Sequence, residues 1–317
     1  MPGASAGPVS AVVPHGGGEV CWYATSDESG TVAVESHGGN AAEGRWQLYA
    51  ADGTPSGAFS NGFDLYGQQS GFEGTSRDKG STYLVRWSAG GGAQARTLLG
   101  EKGCQGLSFR SMVRGTLTLG GCGIGPLVAT VFDSAGQALV SRAVADRLAE
   151  AWGFIDAGGR TLVVLKGGTA VGVGSKYAAR WFDSGLNPST PWFSLPGDAD
   201  GVLIRPLIGG SLALQVGTTW TAMLSGGKTG WDAPPEMLSS HPVHDAIIVR
   251  GGRGYALVPK YGASAPRNQL ELYSGDGQRC GSGTFQAEGL AVGIDGTVLG
   301  ASGEGGCNLA FWSGVLR

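Results

Sequence analysis

Charged residues are scarce in this chain, and long apolar runs are absent. Of 317 residues only 15% are charged, and the formal net charge is −3. A chain without a basic excess has no electrostatic footprint for nucleic acid or an anionic membrane, so we expect neither partner. No stretch approaches the roughly 18 apolar residues that a transmembrane helix needs. We therefore expect no membrane-spanning segment.

A secretory signal is also missing, since the opening MPGASAGPVSAVV has no basic region and only a weak apolar core. Two explanations stay open: a cytoplasmic protein, or an exported protein whose signal lies outside this sequence. The many tryptophans, the few lysines and the five cysteines favour the second. We predict an extracellular or periplasmic setting, with a cytoplasmic one as the alternative.

Sequence signatures of common enzyme classes are absent as well. The chain has no nucleophile elbow, no HExxH helix, no Walker loop and no dinucleotide fingerprint in the right context. The five cysteines show no spacing typical of a zinc site. These absences favour a non-catalytic protein and leave enzymatic activity undecided.

What the sequence has in abundance is glycine, at 60 residues, in a repeating context. An apolar run followed by a small or acidic residue and glycine occurs seven times, at intervals of 38 to 50 residues. The last large side chains of these runs, which we call the pivot residues, are Tyr49, Trp87, Phe132, Phe182, Leu224, Tyr273 and Trp312.

Each repeat contains four short alternating runs joined by glycine turns, which is typical of a four-stranded β-propeller blade. We predict an all-β fold, a single seven-bladed β-propeller over 1–317 with four-stranded antiparallel blades. Residues 7–14, GPVSAVVP, would supply the missing strand of the last blade and close the ring. The approximate blades are 19–60, 61–100, 101–149, 150–197, 198–238, 239–285 and 286–317.

One stretch has a helix-like pattern, SRAVADRLAEAW at 141–152. We interpret it as the outer strand of the third blade and its connection, with one helical turn. The alternatives to a propeller are a pair of β-sandwiches and a solenoid.

Glycine doublets ahead of a strand occur in ESHGGNAAEGRWQLY, VLKGGTAVGVGSKYAARWFD and GEGGCNLAFW, which resemble Kelch blades. VFDSAGQALV and LYSGDGQRCG resemble a strand hairpin of quinoprotein blades. The full Kelch spacing of Tyr and Trp and the recurrent quinoprotein Trp are missing. Both resemblances imply a propeller fold, and neither implies a catalytic set.

The cysteines suggest disulfides. Cys104 and Cys122 flank a predicted hairpin that turns near residue 113, so they should face each other and bridge. We predict a second bridge from Cys307 to Cys280 or to Cys21. The alternative is five reduced, buried cysteines.

An acidic residue stands at the start of every predicted inner strand. These residues are Glu19, Asp64, Glu101, Glu150, Asp200, Asp245 and Glu288. They could line one mouth of the central channel and bind Ca²⁺, which takes several carboxylate oxygens. The competing interpretation is a set of solvated acids without a ligand. No other cofactor is expected.

Two histidines, His241 and His244, lie beside Asp245 and could bind a metal or transfer protons. Pro242 makes an extended loop with two unliganded imidazoles the favoured interpretation.

We predict a non-catalytic scaffold that binds a protein partner through the loops of one propeller face, in a surface, periplasmic or secreted assembly. A lectin-like protein, which would bind glycans through aromatic and amide loops in several blades, is the first alternative. The aromatic residues nearest the connections are Trp22, Tyr66, Trp152, Tyr255 and Tyr261. A hydrolase or lyase that uses the channel-mouth acids is the second. The sequence does not indicate an oligomeric state.

Overall fold

The computed structural model shows an all-β chain. It describes residues 13–15, 20–37, 45–101, 104–111, 115–133, 135–156, 158–196, 202–217, 219–241, 244–248, 254–259, 268–285, 289–293, 295–302 and 307–312. In these ranges the strands form seven four-stranded antiparallel sheets. Six sheets use four consecutive strands, and the seventh combines three C-terminal strands with one from the amino-terminal region. The predicted all-β architecture of small antiparallel sheets is confirmed.

The strands of the first four sheets are short and closely spaced. Sheet 1 contains β2 (Val20–Ser26), β3 (Val32–His37), β4 (Arg45–Tyr49) and β5 (Pro55–Phe59). Sheet 2 contains β6 (Phe63–Gly67), β7 (Phe72–Asp78), β8 (Ser81–Trp87) and β9 (Ala93–Gly100). Sheet 3 contains β10 (Cys104–Ser111), β11 (Gly115–Cys122), β12 (Leu127–Phe132) and β13 (Ala138–Ala145). Sheet 4 contains β14 (Ala151–Ile155), β15 (Thr161–Lys166), β16 (Tyr177–Phe182) and β17 (Phe193–Ser194).

The other three sheets follow the same plan. Sheet 5 contains β18 (Val202–Pro206), β19 (Leu212–Val216), β20 (Thr219–Leu224) and β21 (Trp231–Asp232). Sheet 6 contains β22 (His244–Ile248), β23 (Gly254–Pro259), β24 (Gln269–Ser274) and β25 (Arg279–Thr284). Sheet 7 contains β26 (Gly289–Val292), β27 (Val298–Ser302), β28 (Cys307–Trp312) and β1 (Val13–His15).

The chain divides into two compact units. The first takes Met1–Ser76, Val85–Arg96 and Val243–Arg317, and the second takes Arg77–Leu84 and Thr97–Pro242. Sheets 1, 6 and 7 and the β6–β7 turn of sheet 2 belong to the first unit. Sheets 3, 4 and 5 belong to the second.

The third strand of every sheet ends at, or one residue after, a pivot residue of the sequence repeat. All seven pivot residues are buried. Phe59, at the end of β5, stacks on the pivot Trp87 with ring centroids 4.5 Å apart. Phe285, directly after β25, meets the pivot Trp312 edge to face at 5.0 Å. At these places the repeat marks a large side chain that fills the space between neighbouring sheets.

Apolar side chains from adjacent sheets form the cores. In β15 Leu162 and Val164 pack into a cluster with side chains of sheet 5. The alternate residues Val163 and Leu165 pack into a cluster with side chains of sheet 3. Because successive side chains of a strand point to opposite faces, a strand covered on both faces needs an unbroken apolar run. TLVVL is such a run.

The amino-terminal strand β1 pairs with the last strand of sheet 7. The register sets Val13 against Leu309, Pro14 against Asn308 and His15 against Cys307. The strand lies at the carboxyl end of the predicted segment 7–14 and one residue past it, and residues 7–12 fall outside the described ranges. Closure of the sheets into one ring, and the number of blades in that ring, stay predictions.

Helical structure in the described ranges is limited to α1 (Glu236–Ser239) and a 3₁₀ turn (Gly168–Val171). Residues 141–152, all described, contain the end of β13, a connection and the start of β14. The helical turn expected there was wrong, because β13 pairs with β12 as far as Ala145 and thereby holds the backbone extended. No helix in the described ranges is both long and apolar enough to cross a membrane.

Candidate functional site: an exposed turn at one end of sheet 3

Each sheet has two ends that differ in their connections. Because neighbouring strands run antiparallel, the first-to-second and third-to-fourth turns share one end, which we call the turn end. The second-to-third turn and the start of the first strand share the other end, which we call the loop end.

Nine turns at the turn ends share one compact pattern. In this pattern the N–H of residue i donates to the carbonyl of residue i+4. The N–H of residue i+3 donates to the carbonyl of residue i. In the Asp27 turn these bonds, Asp27 N–H to Thr31 O and Gly30 N–H to Asp27 O, measure 2.9 and 3.2 Å. The pattern recurs in turns beginning at Ala50, Ser88, Asp133, Asp156, Asp183, Leu207, Ser274 and Gly293. Such uniform turns offer little variety for recognition.

The loop ends of the second unit are less regular. The β15–β16 loop contains the 3₁₀ turn, α1 lies in the connection after β21, and the β11–β12 turn carries an exposed apolar tip. Residues that recognise partners are concentrated in variable loops on a rigid scaffold. The loop ends therefore hold the best candidates for a binding site.

The β11–β12 turn presents Ile124 to solvent. Its side chain is 97% exposed, against 58% for Leu139, the next most exposed large apolar side chain that is described. The N–H of Gly125 donates to the carbonyl of Cys122 at 2.9 Å, which closes the turn. Gly123 adopts a φ of 57°, a left-handed value that glycine takes without strain.

A disulfide fastens this turn, as the sequence predicted. Cys104 and Cys122 are direct partners in the β10–β11 ladder, with Cα atoms 4.2 Å apart, and they are bridged. Because Cys122 is also the first residue of the turn, the covalent bond holds the turn at its base.

The connection between sheets 3 and 4 supports the turn from the side. The N–H of Leu148 donates to the carbonyl of Gly125 at 2.8 Å, and Leu148 packs its side chain against the sheet 3–sheet 4 core. Two residues on, Glu150 forms an ion pair with Lys166 at 2.9 Å. We call residues 122–127 and 146–150, together with Lys166, the Ile124 surface.

The predicted acidic residues occupy the starts of first strands, as far as they are described. Glu101 and Glu150 are exposed; Glu150 directly precedes β14 of sheet 4, and Glu101 lies three residues before β10 of sheet 3. Asp64 is exposed in β6, has a left-handed φ of 51° and lies at an irregularity in the β6–β7 register. Glu150 is occupied by its ion pair with Lys166, whose exposed setting makes it worth no more than about 1 kcal/mol.

The side chains of the other four predicted acids lie outside those that the structure describes. Glu19, Asp200 and Glu288 lie outside the described residues, and for Asp245 only the backbone, in β22, is described. Among the described side chains, no three His, Cys, Asp or Glu residues come together as a metal site. The Ca²⁺ site stays a prediction that melting with and without EDTA can test.

Each of the two predicted histidines is placed by its own element. His241 follows α1, and its Nδ1 lies 2.9 Å from the carbonyl of Met237, so it caps the end of that helix. His244 is the first residue of β22. This hydrogen bond explains the position of the His241 side chain without a bound metal.

Of the two alternatives for a second disulfide, the bridge from Cys307 to Cys280 was wrong. Cys280 lies on the outermost strand of sheet 6, where its thiol is exposed and free. An outer strand turns alternate side chains to solvent, and Cys280 occupies such an exposed position. A bridge from Cys307 to Cys21 concerns side chains outside those described.

Of the five aromatic residues near the connections, Tyr66 is half-buried, and the side chains of Trp22 and Tyr261 lie outside those described. Tyr255 is buried, and Trp152 packs edge to face on Tyr177 at 5.9 Å. Sequence reasoning missed Ile124 as a site residue. The signal was present in GCGIGP, because an isoleucine between two turn glycines has no neighbours to bury it.

Comparison with known proteins identifies the fold and no family. No protein-family model matches the chain, and no curated protein matches it. Among solved structures, the WD40 domain of coronin from Toxoplasma gondii aligns over 96% of this chain and 89% of its own, with a TM-score of 0.51 and 8% identity. BBS1N in complex with ARL6DN aligns over 98% and 97%, with a TM-score of 0.50 and 10% identity. The chain has a β-propeller fold.

Proposed function

We propose that this protein is a non-catalytic scaffold, a ring of seven blades closed by β1, that binds a protein partner through its loop ends. The Ile124 surface is the contact that carries the proposal. The scaffold acts outside the reducing cytoplasm, in a surface, periplasmic or secreted assembly.

The exposed isoleucine is the main support. A large apolar side chain that is almost fully in water has nothing to stabilise it in the free protein, whereas a partner with a matching pocket would gain its burial. Fully burying such a side chain is worth about 1.5–3 kcal/mol. The disulfide and the Leu148–Gly125 hydrogen bond fix the turn beforehand, so little conformational entropy is lost on binding.

Two further observations agree with this function. BBS1N, a structural neighbour, was itself solved in complex with ARL6DN, which is a precedent for a propeller that holds a partner. The Cys104–Cys122 disulfide suits an oxidising compartment, since such bonds are rare in the cytosol.

Substitution of the exposed tip tests the proposal. Ile124→Asp should weaken binding of a purified partner, first captured on the wild-type chain, by at least about tenfold, as loss of a central apolar anchor does. The matched control is Leu139→Asp, which places the same charge on an exposed residue of β13 in the same sheet. Affinity is measured by calorimetry, with circular dichroism to confirm that both variants fold.

Equal affinity of the wild-type chain and Ile124→Asp, with Leu139→Asp impaired, would assign binding to the outer strands. Binding on a glycan array, with no protein partner retained, would replace this function by that of a lectin.

A further inference from the structure

Two buried carboxylates occupy first-to-second strand turns of neighbouring sheets in the first unit. Asp27, in the β2–β3 turn, has 0% exposure, and Asp295, in the β26–β27 turn, has 1%. Neither belongs to the Ile124 surface. Burying a carboxylate is costly unless its oxygens accept hydrogen bonds, so their partners show what these residues do.

Asp27 connects sheet 1 to sheet 2. Its Oδ1 accepts hydrogen bonds within its own turn, from the N–H of Thr31 at 2.8 Å and the hydroxyl of Ser29 at 2.7 Å. Its Oδ2 accepts from the N–H of Gly71, in the β6–β7 turn, at 2.7 Å. The N–H of Glu28 also donates to the carbonyl of Gln68 in that turn, at 2.8 Å.

Asp295 connects sheet 7 to sheet 1. Its Oδ1 accepts from the N–H of Thr297 at 3.0 Å and from the hydroxyl of Ser26 at 2.5 Å. Its Oδ2 accepts from the Thr297 hydroxyl at 2.5 Å. Ser26 is fully buried and precedes Asp27, so the two carboxylates belong to one chain of contacts across three sheets.

Glycines bring these turns together. A Cβ added at Gly293 would overlap the Ser26 hydroxyl, and one added at Gly67 would overlap the Ser26 carbonyl. This close approach from two sides brings both turns into direct contact with Ser26.

An exposed turn elsewhere shows that the local bonds do not require burial. Asp52 has the same position in its turn as Asp295, two residues before a threonine, and accepts the Thr54 N–H at 2.9 Å. Asp52 is exposed, and this hydrogen bond stays within its own turn. The burial of Asp295 is thus connected with the contact to Ser26 rather than with the turn itself.

We propose that Ser26, Asp27 and Asp295 form a clasp that fastens sheet 7, the sheet in which the two ends of the chain pair, to sheets 1 and 2. The clasp acts as a conformational latch: while it is closed, β1 and β26–β28 open only when the unit unfolds. When it is broken, sheet 7 opens locally at a lower free energy.

Hydrogen exchange of the full chain, followed peptide by peptide, tests the clasp. Ser26→Ala removes only the hydroxyl that joins sheet 1 to Asp295, and Asp27→Asn removes an acceptor facing Gly71. Ser26→Ala should raise exchange in β1 and β26–β28 by about tenfold or more while sheets 3–5 keep wild-type rates. Asp52→Asn, the matched control in an exposed turn, should leave sheet 7 unchanged.

A double variant separates the clasp from simple loss of packing. Asp295→Ala should have a much smaller effect on sheet 7 exchange in the Ser26→Ala background than in the wild type, because the shared hydrogen bond is already gone. Additive effects, a uniform rise in all sheets, or equal behaviour of Ser26→Ala and Asp52→Asn would overturn the proposal.

Discussion

Tyr273 places its hydroxyl against a carboxylate on its own strand. The hydroxyl donates to Oε2 of Glu271 at 2.7 Å, and the residue is 8% exposed. Burial, which disfavours the charged phenolate, and then the hydrogen bond to Glu271 raise the pKa of Tyr273 from 10.0 to about 12. The folded chain therefore holds the phenol neutral in a pH range where the unfolded chain ionises it.

This raised pKa predicts a loss of stability in alkali. A proton held more tightly in the folded state stabilises it fully below pH 10.0, and that stabilisation disappears as pH rises to about 12. Urea unfolding at increasing pH should show the free energy of unfolding falling across this window. Tyr273→Phe, which has no ionisable group, should reduce the fall, and an unchanged slope in that variant would contradict the assignment.

The β10–β11 hairpin is the element that the sequence described best. Antiparallel partners have positions with a constant sum, so a turn near residue 113 pairs Cys104 with Cys122, and the structure has this register. Three other elements were not predictable from the local sequence pattern. The outer strands β17 and β21 have only two residues each, and α1 contacts β20, none of which the local pattern indicated.

Removal of the disulfide should destabilise the second unit. Cys104→Ala/Cys122→Ala opens a loop with a sequence separation of 18, which in the chain-entropy model costs about 3 kcal/mol. Urea unfolding of the oxidised chain and of the variant measures this difference. Cys280→Ser, at the free and exposed thiol, is the control and should leave stability unchanged. Equal stability of the double variant and the wild type would show that packing alone holds the hairpin.

At the scale of the whole molecule, the cores lie between sheets. In the part of the chain that the structure describes, clusters of buried side chains draw on two neighbouring sheets, as in the cluster of sheets 6 and 7 and that of sheets 7 and 1. A sheet in this arrangement cannot bury its faces alone. Sheet 7 also depends on β1 to cover the edge of β28.

Deletion of β1 should therefore affect the protein more than its length suggests. A chain without residues 1–15 exposes the backbone of β28, and exposed edges pair with other chains. We expect a lower melting temperature, by roughly 2–4 °C for each kcal/mol lost, and concentration-dependent association. A chain without residues 1–11 keeps β1 and should behave as the wild type in melting and light scattering. Identical behaviour of the two deletions would show that β1 does not stabilise sheet 7.

The sequence by itself determined the repeat, the strands and the hairpin register, because alternation, glycine turns and spacing are local properties of the chain. It also indicated the large buried residue at each pivot. Only the tertiary structure decided which polar residues are buried, since Asp27 and Asp295 differ from the exposed Asp52 through their contacts with distant turns. It likewise decided that Ile124 remains in solvent. Burial depends on what other segments bring to a residue, and one chain position does not encode that.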